Sequence, residues 1–307
     1  LLALALAAAP PGLGPSPASA HPIPESERWA TVTHPGNQPY MHPDGFPIGR
    51  VDYEYQIGRT EITNAEWAEF ANAYNVERPF PQGSSFYGNS IRYRNGRFVA
   101  ISGQQDKPVS IRATFAARYA NWLHNDKRTD IAAFESGAYD TSTFDEYWDD
   151  ITPHLPGARY WLPTHDEWVK AAHFDPDRHG DNQPGYWMFP TTSDTYPLQA
   201  LPWKGGETSA GTAFYLPVAS YRDVQSPWGL WDSSGGQDEW TETVIEGSPW
   251  DEASGPAHGF LERQKDSVNG WDIYAPTAGL RLARNVPAPS SVLVCVLSTV
   301  ALSRRRR

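Results

Sequence analysis

Sulfur is nearly missing from this chain of 307 residues: it has one cysteine and two methionines. The cysteine, Cys295, sits in a short apolar stretch near the end, so the rest of the sequence has no thiol. Disulfides, zinc–thiolate sites, iron–sulfur clusters and cysteine nucleophiles are thereby excluded from it. Positive charge is also scarce, with 25 Lys and Arg against 36 Asp and Glu and a net charge of −11. Four of the basic residues form the run Arg304 to Arg307, so the remainder is more acidic still. Such a surface repels phosphate backbones, which argues against nucleic acid as a partner. Turn formers and indoles are plentiful: 25 Gly, 28 Pro and 13 Trp. That balance describes a globular, loop-rich, aromatic-packed protein rather than a helical bundle or a disordered chain.

The two ends look like addresses. Leu1 to Ala9 is almost wholly Leu and Ala, and Ala18-Ser19-Ala20 precedes His21. An apolar run followed by such a site is the secretory pattern, so residues 1–20 are read as a partial signal peptide and the protein as exported. Residues 286–307 hold Pro287-Ala288-Pro289, an apolar run from Val292 to Leu302, and the four arginines. The run is short of the ~20 residues that span a bilayer, and the basic cluster would hold its end on the cytoplasmic side. This arrangement resembles the PEP-CTERM sorting tag of exported bacterial proteins, with Ala288 where the tag usually has Glu. The resemblance implies that the tail is either removed or used for transient membrane anchoring at the cell envelope.

Between the ends, residues 27–284 read as a single α+β domain with no linker and no internal repeat. Thr63 followed by Glu66 is a capping box, with Trp67, Phe70, Ala71 and Tyr74 at helical spacing behind it. Ser110 is expected to cap a second helix with the stripe Phe115, Tyr119, Trp122 and Leu123. Thr164 and Glu167 make a second capping box, with Trp168, Ala171 and Ala172 facing inward. Val51 to Gly58, Ser90 to Ile101 and Gly279 to Arg284 have strand character. The long stretch from Asp175 to Gly211 reads as turns, and loops of that length are usually functional or held by bound ions.

The ordered segments Tyr55 to Trp67, Pro108-Val109-Ser110, Arg159 to Trp168, Pro217 to Tyr221, Trp228 to Trp240 and Gly279 to Ala283 together resemble the formylglycine-generating enzyme (sulfatase-modifying factor) family. The resemblance implies that family's variant of the C-type-lectin-like fold. Members that oxidise a substrate cysteine hold Cu(I) with two cysteines, because soft thiolates suit the soft monovalent ion. The interval that would carry the pair, Thr241 to Ala278, has no cysteine. No copper is therefore expected, and whether the protein is an enzyme stays open. A sister branch uses nonheme iron held by three histidines. The nine histidines here are scattered, with no His-x-x-x-His pair to place two ligands on one helix face.

The same resemblance implies a calcium site at Asp232, Gly235, Gln237 and Glu239, where side-chain and carbonyl oxygens alternate around a glycine turn. Asp175 to Asp181 looks like the start of a second calcium loop, but position twelve is Tyr186 rather than the bidentate Glu. Trp250, Trp271 and Tyr274 lie in the interval where the family places its active site; such aromatics either pack a core poor in secondary structure or, where exposed, grip a ligand. The reading is an exported, noncatalytic module that binds a polysaccharide or peptide. The alternative is an oxidoreductase of the sulfatase-maturing type acting through another mechanism.

Overall fold

Two short sequence signals start two helices as expected. The Thr63 side chain accepts from the Glu66 amide, while the Glu66 carboxylate accepts from the Thr63 amide at 2.9 Å. Thr164 and Glu167 repeat the exchange, at 3.1 and 2.7 Å. Each box satisfies amides that a helix start otherwise leaves bare.

The computed structural model describes residues 23–41, 45, 47–78, 84–142, 144, 153–209, 215–242, 250–253 and 278–287, with the backbone alone for 84, 85 and 250–253. In chain order the strands are β1 (Trp29–Val32), β2 (Tyr40–Met41), β3 (Pro47–Ile48), β4 (Tyr55–Gly58), β5 (Ile91–Arg94), β6 (Arg97–Ala100), β7 (Tyr160–Trp161), β8 (Phe174–Asp175), β9 (Gly185–Tyr186), β10 (Glu239–Glu242), β11 (Trp250–Ala253) and β12 (Ala283–Asn285). The helices are α1 (Asn64–Glu77), α2 (Ser84–Tyr87), α3 (Ala113–His124), α4 (Ile131–Glu135) and α5 (His165–His173).

One antiparallel sheet, in the order β1-β4-β12-β7, organises the domain. Strand β12, from the far end of the sequence, lies between β4 and β7, pairing Ala283 with both Ile57 and Trp161. The four other sheets among the described residues are two-stranded. Against this frame α1, α2, α3 and α4 build an aromatic core. Trp67 and Tyr119 stack at 5.3 Å between ring centroids, Phe70 meets Tyr119 edge-on at 5.4 Å, and Tyr74 meets Phe134 edge-on at 5.2 Å. The Trp67 indole N–H donates to the Phe86 carbonyl at 2.6 Å, so its one polar atom is satisfied inside the core.

Three expectations shift. Ser110 does not cap: the helix opens at Ala113 with Arg112 before it and no side-chain cap. The reason is a pairing across the fold. Ile111 exchanges both backbone hydrogen bonds with Ala278, at 2.8 and 3.0 Å, and this extended bridge must end before a helix can begin. The first strand shortens to Tyr55–Gly58, because Val51 turns instead to Asn37, whose carboxamide accepts from its amide at 3.1 Å. The last strand starts only at Ala283, since Gly279 bonds to Asp238 and Trp240, Leu280 to Ile62 and Leu282 to Gly58.

Replacing Thr63 by Ala removes one cap of the longest helix among the described residues. It should lower the unfolding free energy by about 1 kcal/mol with no change of fold, read as a lower urea midpoint with an unchanged slope.

Candidate functional site

The residues expected to hold calcium lie around a guanidinium. Arg281 has no solvent exposure, and its Nε and Nη2 donate to the two oxygens of Glu239 at 2.7 and 2.6 Å. Its remaining donors reach the carbonyls of Gly58 at 3.0 Å and Trp231 at 3.3 Å. Glu239 also accepts from the Trp168 indole at 2.9 Å. Fork-on-fork pairing of this kind is the strongest carboxylate contact that arginine makes.

Two further acids face this pair. Asp232 has a left-handed backbone, φ 56°, and accepts from the Ala219 amide. Burial first, and Glu239 in addition, raise its carboxyl to about 6, against the lowering pull of Arg281 and backbone amides. Glu61 is 1 % exposed. One of its oxygens accepts from the Gln237 amide at 3.1 Å, and the other has no partner among the described residues. Burial, then the charges of Glu239 and Asp232, push the Glu61 carboxyl well above the usual carboxylate range. One buried cation thus faces three acids, and protonation of Glu61 relieves the imbalance. Gly236 lies at φ +82°, and a Cβ there would come within 2.6 Å of the Glu61 carboxylate, so the bare backbone is what admits that acid.

Calcium needs six to eight oxygens free to turn toward it. Here both Glu239 oxygens accept from Arg281, and Asp232 is drawn to the Ala219 amide. Asp232, Gly235, Gln237 and Glu239 therefore do not fit a bound calcium in this arrangement, in which the internal cation is Arg281. A void of about 10 Å³ beside Asp232 and Ser234 has room for little more than a water molecule. Among the described residues no group of three or more His, Cys, Asp or Glu is set to hold a metal ion. The Asp175 turn bonds to itself and its neighbours. Asp175 accepts from the Asp177 amide and the Trp187 indole, both at 2.9 Å, and Asp177 accepts from the Asn182 amide at 2.6 Å.

Another buried acid, Glu242, 1 % exposed, accepts from the Tyr139 hydroxyl and from His154 Nδ1 at 2.8 Å. His154 stacks on Trp161 at 4.9 Å. Burial alone would lower the His154 pKa, yet the bond to Glu242 and its charge raise it. These contacts tie β7 and β10 together as packing.

Ligand-sized space lies elsewhere. A cavity of about 290 Å³ opens between the start of β1, α1, α3 and β7. Trp29 and Tyr160, with centroids 6.0 Å apart, line it together with Tyr119, and Arg28 paired to Glu66 supplies charge. At its rim Lys127 Nζ holds both Glu69 oxygens at 2.8 Å. Burial, then the nearby Glu66, pushes the Tyr119 hydroxyl well above its ordinary value, which keeps it a neutral group. Arg284 lies 4.0 Å from the Trp29 ring centroid and braces it. Of the aromatics expected at a site, Trp250 has its backbone in β11 opposite Glu242 while its side chain lies outside the described residues. Trp271 and Tyr274 lie wholly outside them, as do residues 1–20 and 288–307 of the two tails.

Sequence reasoning placed Glu61 and Arg281 within motifs and gave neither a role. For Arg281 the signal was there: it is a lone charge between apolar residues, in Leu280-Arg281-Leu282. Glu239→Gln, which strips Arg281 of its partner, should cost about 3–5 kcal/mol. Glu61→Gln should instead be neutral or stabilising. The Glu61 pKa is raised on folding, so ionisation opposes folding and the wild type loses ground as pH rises above the unfolded carboxyl value. Urea denaturation at pH 5 and pH 7.5 should show the Glu61→Gln advantage growing with pH.

The sequence model of the sulfatase-modifying factor enzyme 1-like domain matches residues 27–286. Among the curated proteins none matches. Of the solved structures, CarF aligns at a TM-score of 0.46 and 18 % identity, covering 84 % of this chain and 98 % of its own. Treponema denticola variable protein 1 aligns at 0.47 and 16 %, covering 84 % and 95 %. The chain belongs to the sulfatase-modifying factor family and has the family's formylglycine-generating-enzyme variant of the C-type-lectin-like fold.

Proposed function

We propose that this member of the sulfatase-modifying factor family is a noncatalytic ligand-binding module rather than a copper oxidase. Copper-dependent oxidation of a thiol requires soft sulfur ligands to hold Cu(I), and residues 27–286 contain no cysteine. Histidine does not replace them: His258 is the only one between Thr241 and Ala278.

The observation that carries the binding reading is the cavity of about 290 Å³, with Trp29, Tyr119 and Tyr160 beside the Arg28–Glu66 pair. Its volume is at the lower end of small-ligand sites, and aromatic faces beside a few fixed polar groups are what such sites use. Flat rings give area to the apolar face of a sugar, and the paired charges offer donors and acceptors to its hydroxyls. The ligand we favour is thus a short stretch of polysaccharide, with a peptide as the competing class. Export, and transient anchoring through residues 286–307, would place the module at the cell envelope. Among the described residues no helix is long and apolar enough to cross a membrane. No part of this reading runs through calcium, which would have to draw Glu239 away from Arg281.

Two measurements test it. With Cu(I) and a Cys-x-Pro-x-Arg peptide the protein should form no aldehyde, and turnover would restore the oxidase reading. A panel of neutral oligosaccharides and short peptides, followed by tryptophan fluorescence, should give saturable binding of a saccharide that Trp29→Ala weakens at least tenfold. Binding confined to peptides, or indifferent to Trp29→Ala, would overturn the saccharide assignment.

A further inference from the structure

The hairpin of β5 and β6 carries a feature that its stability does not explain. Its register pairs Ile91 with Ala100, Arg92 with Val99, Tyr93 with Phe98, and Arg94 with Arg97. Side chains alternate across a strand, so Arg92, Arg94, Arg97 and Val99 share one face. The opposite face is the packed one: Ile91 is 1 % exposed and Phe98 is 2 % exposed. All three arginines on the outward face are exposed. None of them has a hydrogen bond, ion pair or ring contact among the described residues, whereas every other described arginine has at least one.

Arg94 and Arg97 stand directly opposite each other, and like charges so placed weaken a hairpin. Acidic partners are abundant in a chain of net charge −11, yet none among the described residues has been recruited here. The ribbon is also rigidly mounted. Asn95 and Gly96, at φ 50° and 78°, form the tight two-residue turn that suits the strand twist. From α1 the Asn72 carboxamide clamps the Phe98 backbone, donating to its carbonyl and accepting from its amide, both at 2.8 Å. Ile101 and Ser90 close the base of the hairpin at 2.8 Å.

We propose that this face, built from Arg92, Arg94 and Arg97, is a binding platform for an acidic polysaccharide. Guanidinium groups match carboxylate and sulfate oxygens two at a time. Arg92 and Arg94 are spaced about 7 Å along the strand, and Arg94 and Arg97 about 5 Å across it. Acid groups carried one per sugar can meet such a row in sequence. Nucleic acid carries charge far more densely, about one per 1.7 Å of duplex, and the acidic remainder of the molecule repels it. The platform shares no residue with the cavity, so the two sites stand or fall separately.

Binding of the full chain to polygalacturonate, measured by interferometry at pH 7, tests the proposal. Affinity should fall roughly twentyfold between 50 and 200 mM salt, as expected for about three ionic contacts. The triple variant Arg92→Ser, Arg94→Ser, Arg97→Ser should lose at least tenfold in affinity. Its melting temperature should stay level or rise by about 2 °C, since a repulsive pair has gone. Neutral oligosaccharide binding should be unchanged in that variant, which separates this site from the cavity. Undiminished polygalacturonate binding by the triple variant would overturn the proposal. So would equal binding of neutral dextran, or tighter binding of single-stranded DNA or of vesicles containing phosphatidylglycerol.

Discussion

Arg281 and Glu239 are 42 residues apart in sequence, and their pairing fastens the parts of the domain to one another. The guanidinium reaches the end of β4 through Gly58 and the preceding loop through Trp231, while the carboxylate takes the Trp168 indole of α5. Burying both charges is costly, and such a pair holds only when its remaining donors and acceptors are met. Here every nitrogen of the guanidinium has a partner. The immediate neighbours follow from it. Gly236 stays bare so that Glu61 can approach, and Asp232 takes a left-handed turn to bond Ala219.

That arrangement bears on chemistry. A loop whose sequence reads as a cation site carries its cation on its own chain, fixed on a segment that pairs with β4 and Ile62. Residues 27–286 hold no thiol, and at this loop both oxygens of Glu239 are taken by Arg281. Ligand-sized space lies instead on the helical side, where aromatic rings and paired charges line a cavity between α1, α3 and β7. Three arginines without a partner among the described residues stand together on the β5–β6 hairpin.

Much of the frame could be read ahead of any coordinates. Both capping boxes are local, four-residue devices, and they formed where the pattern put them. The aromatic stripe of α1 is buried as its spacing required. Ser110 misled because its competitor, the bridge from Ile111 to Ala278, joins residues 167 positions apart, and no window of sequence contains both. Helix α5 exceeded its pattern in another way: Lys170 and Glu167 are as buried as its apolar residues. Lys170 donates to the His34 carbonyl at 2.8 Å, so an apparently solvated face is internal.

Sequence alone determined the family, the α+β class, the two capped helix starts and the want of sulfur, because each depends on residue identity or on short-range spacing. The tertiary structure decided which charges pair. Asp232 and Glu239 are acids in any reading, but whether they meet an ion or a guanidinium depends on where β12 brings Arg281. The same holds for Arg92, Arg94 and Arg97: strand alternation puts them on one face, while only the packed neighbourhood reveals that no carboxylate among the described residues comes to meet them. Partner choice among charges is settled by distance in three dimensions, and long-range chain closure sets that distance.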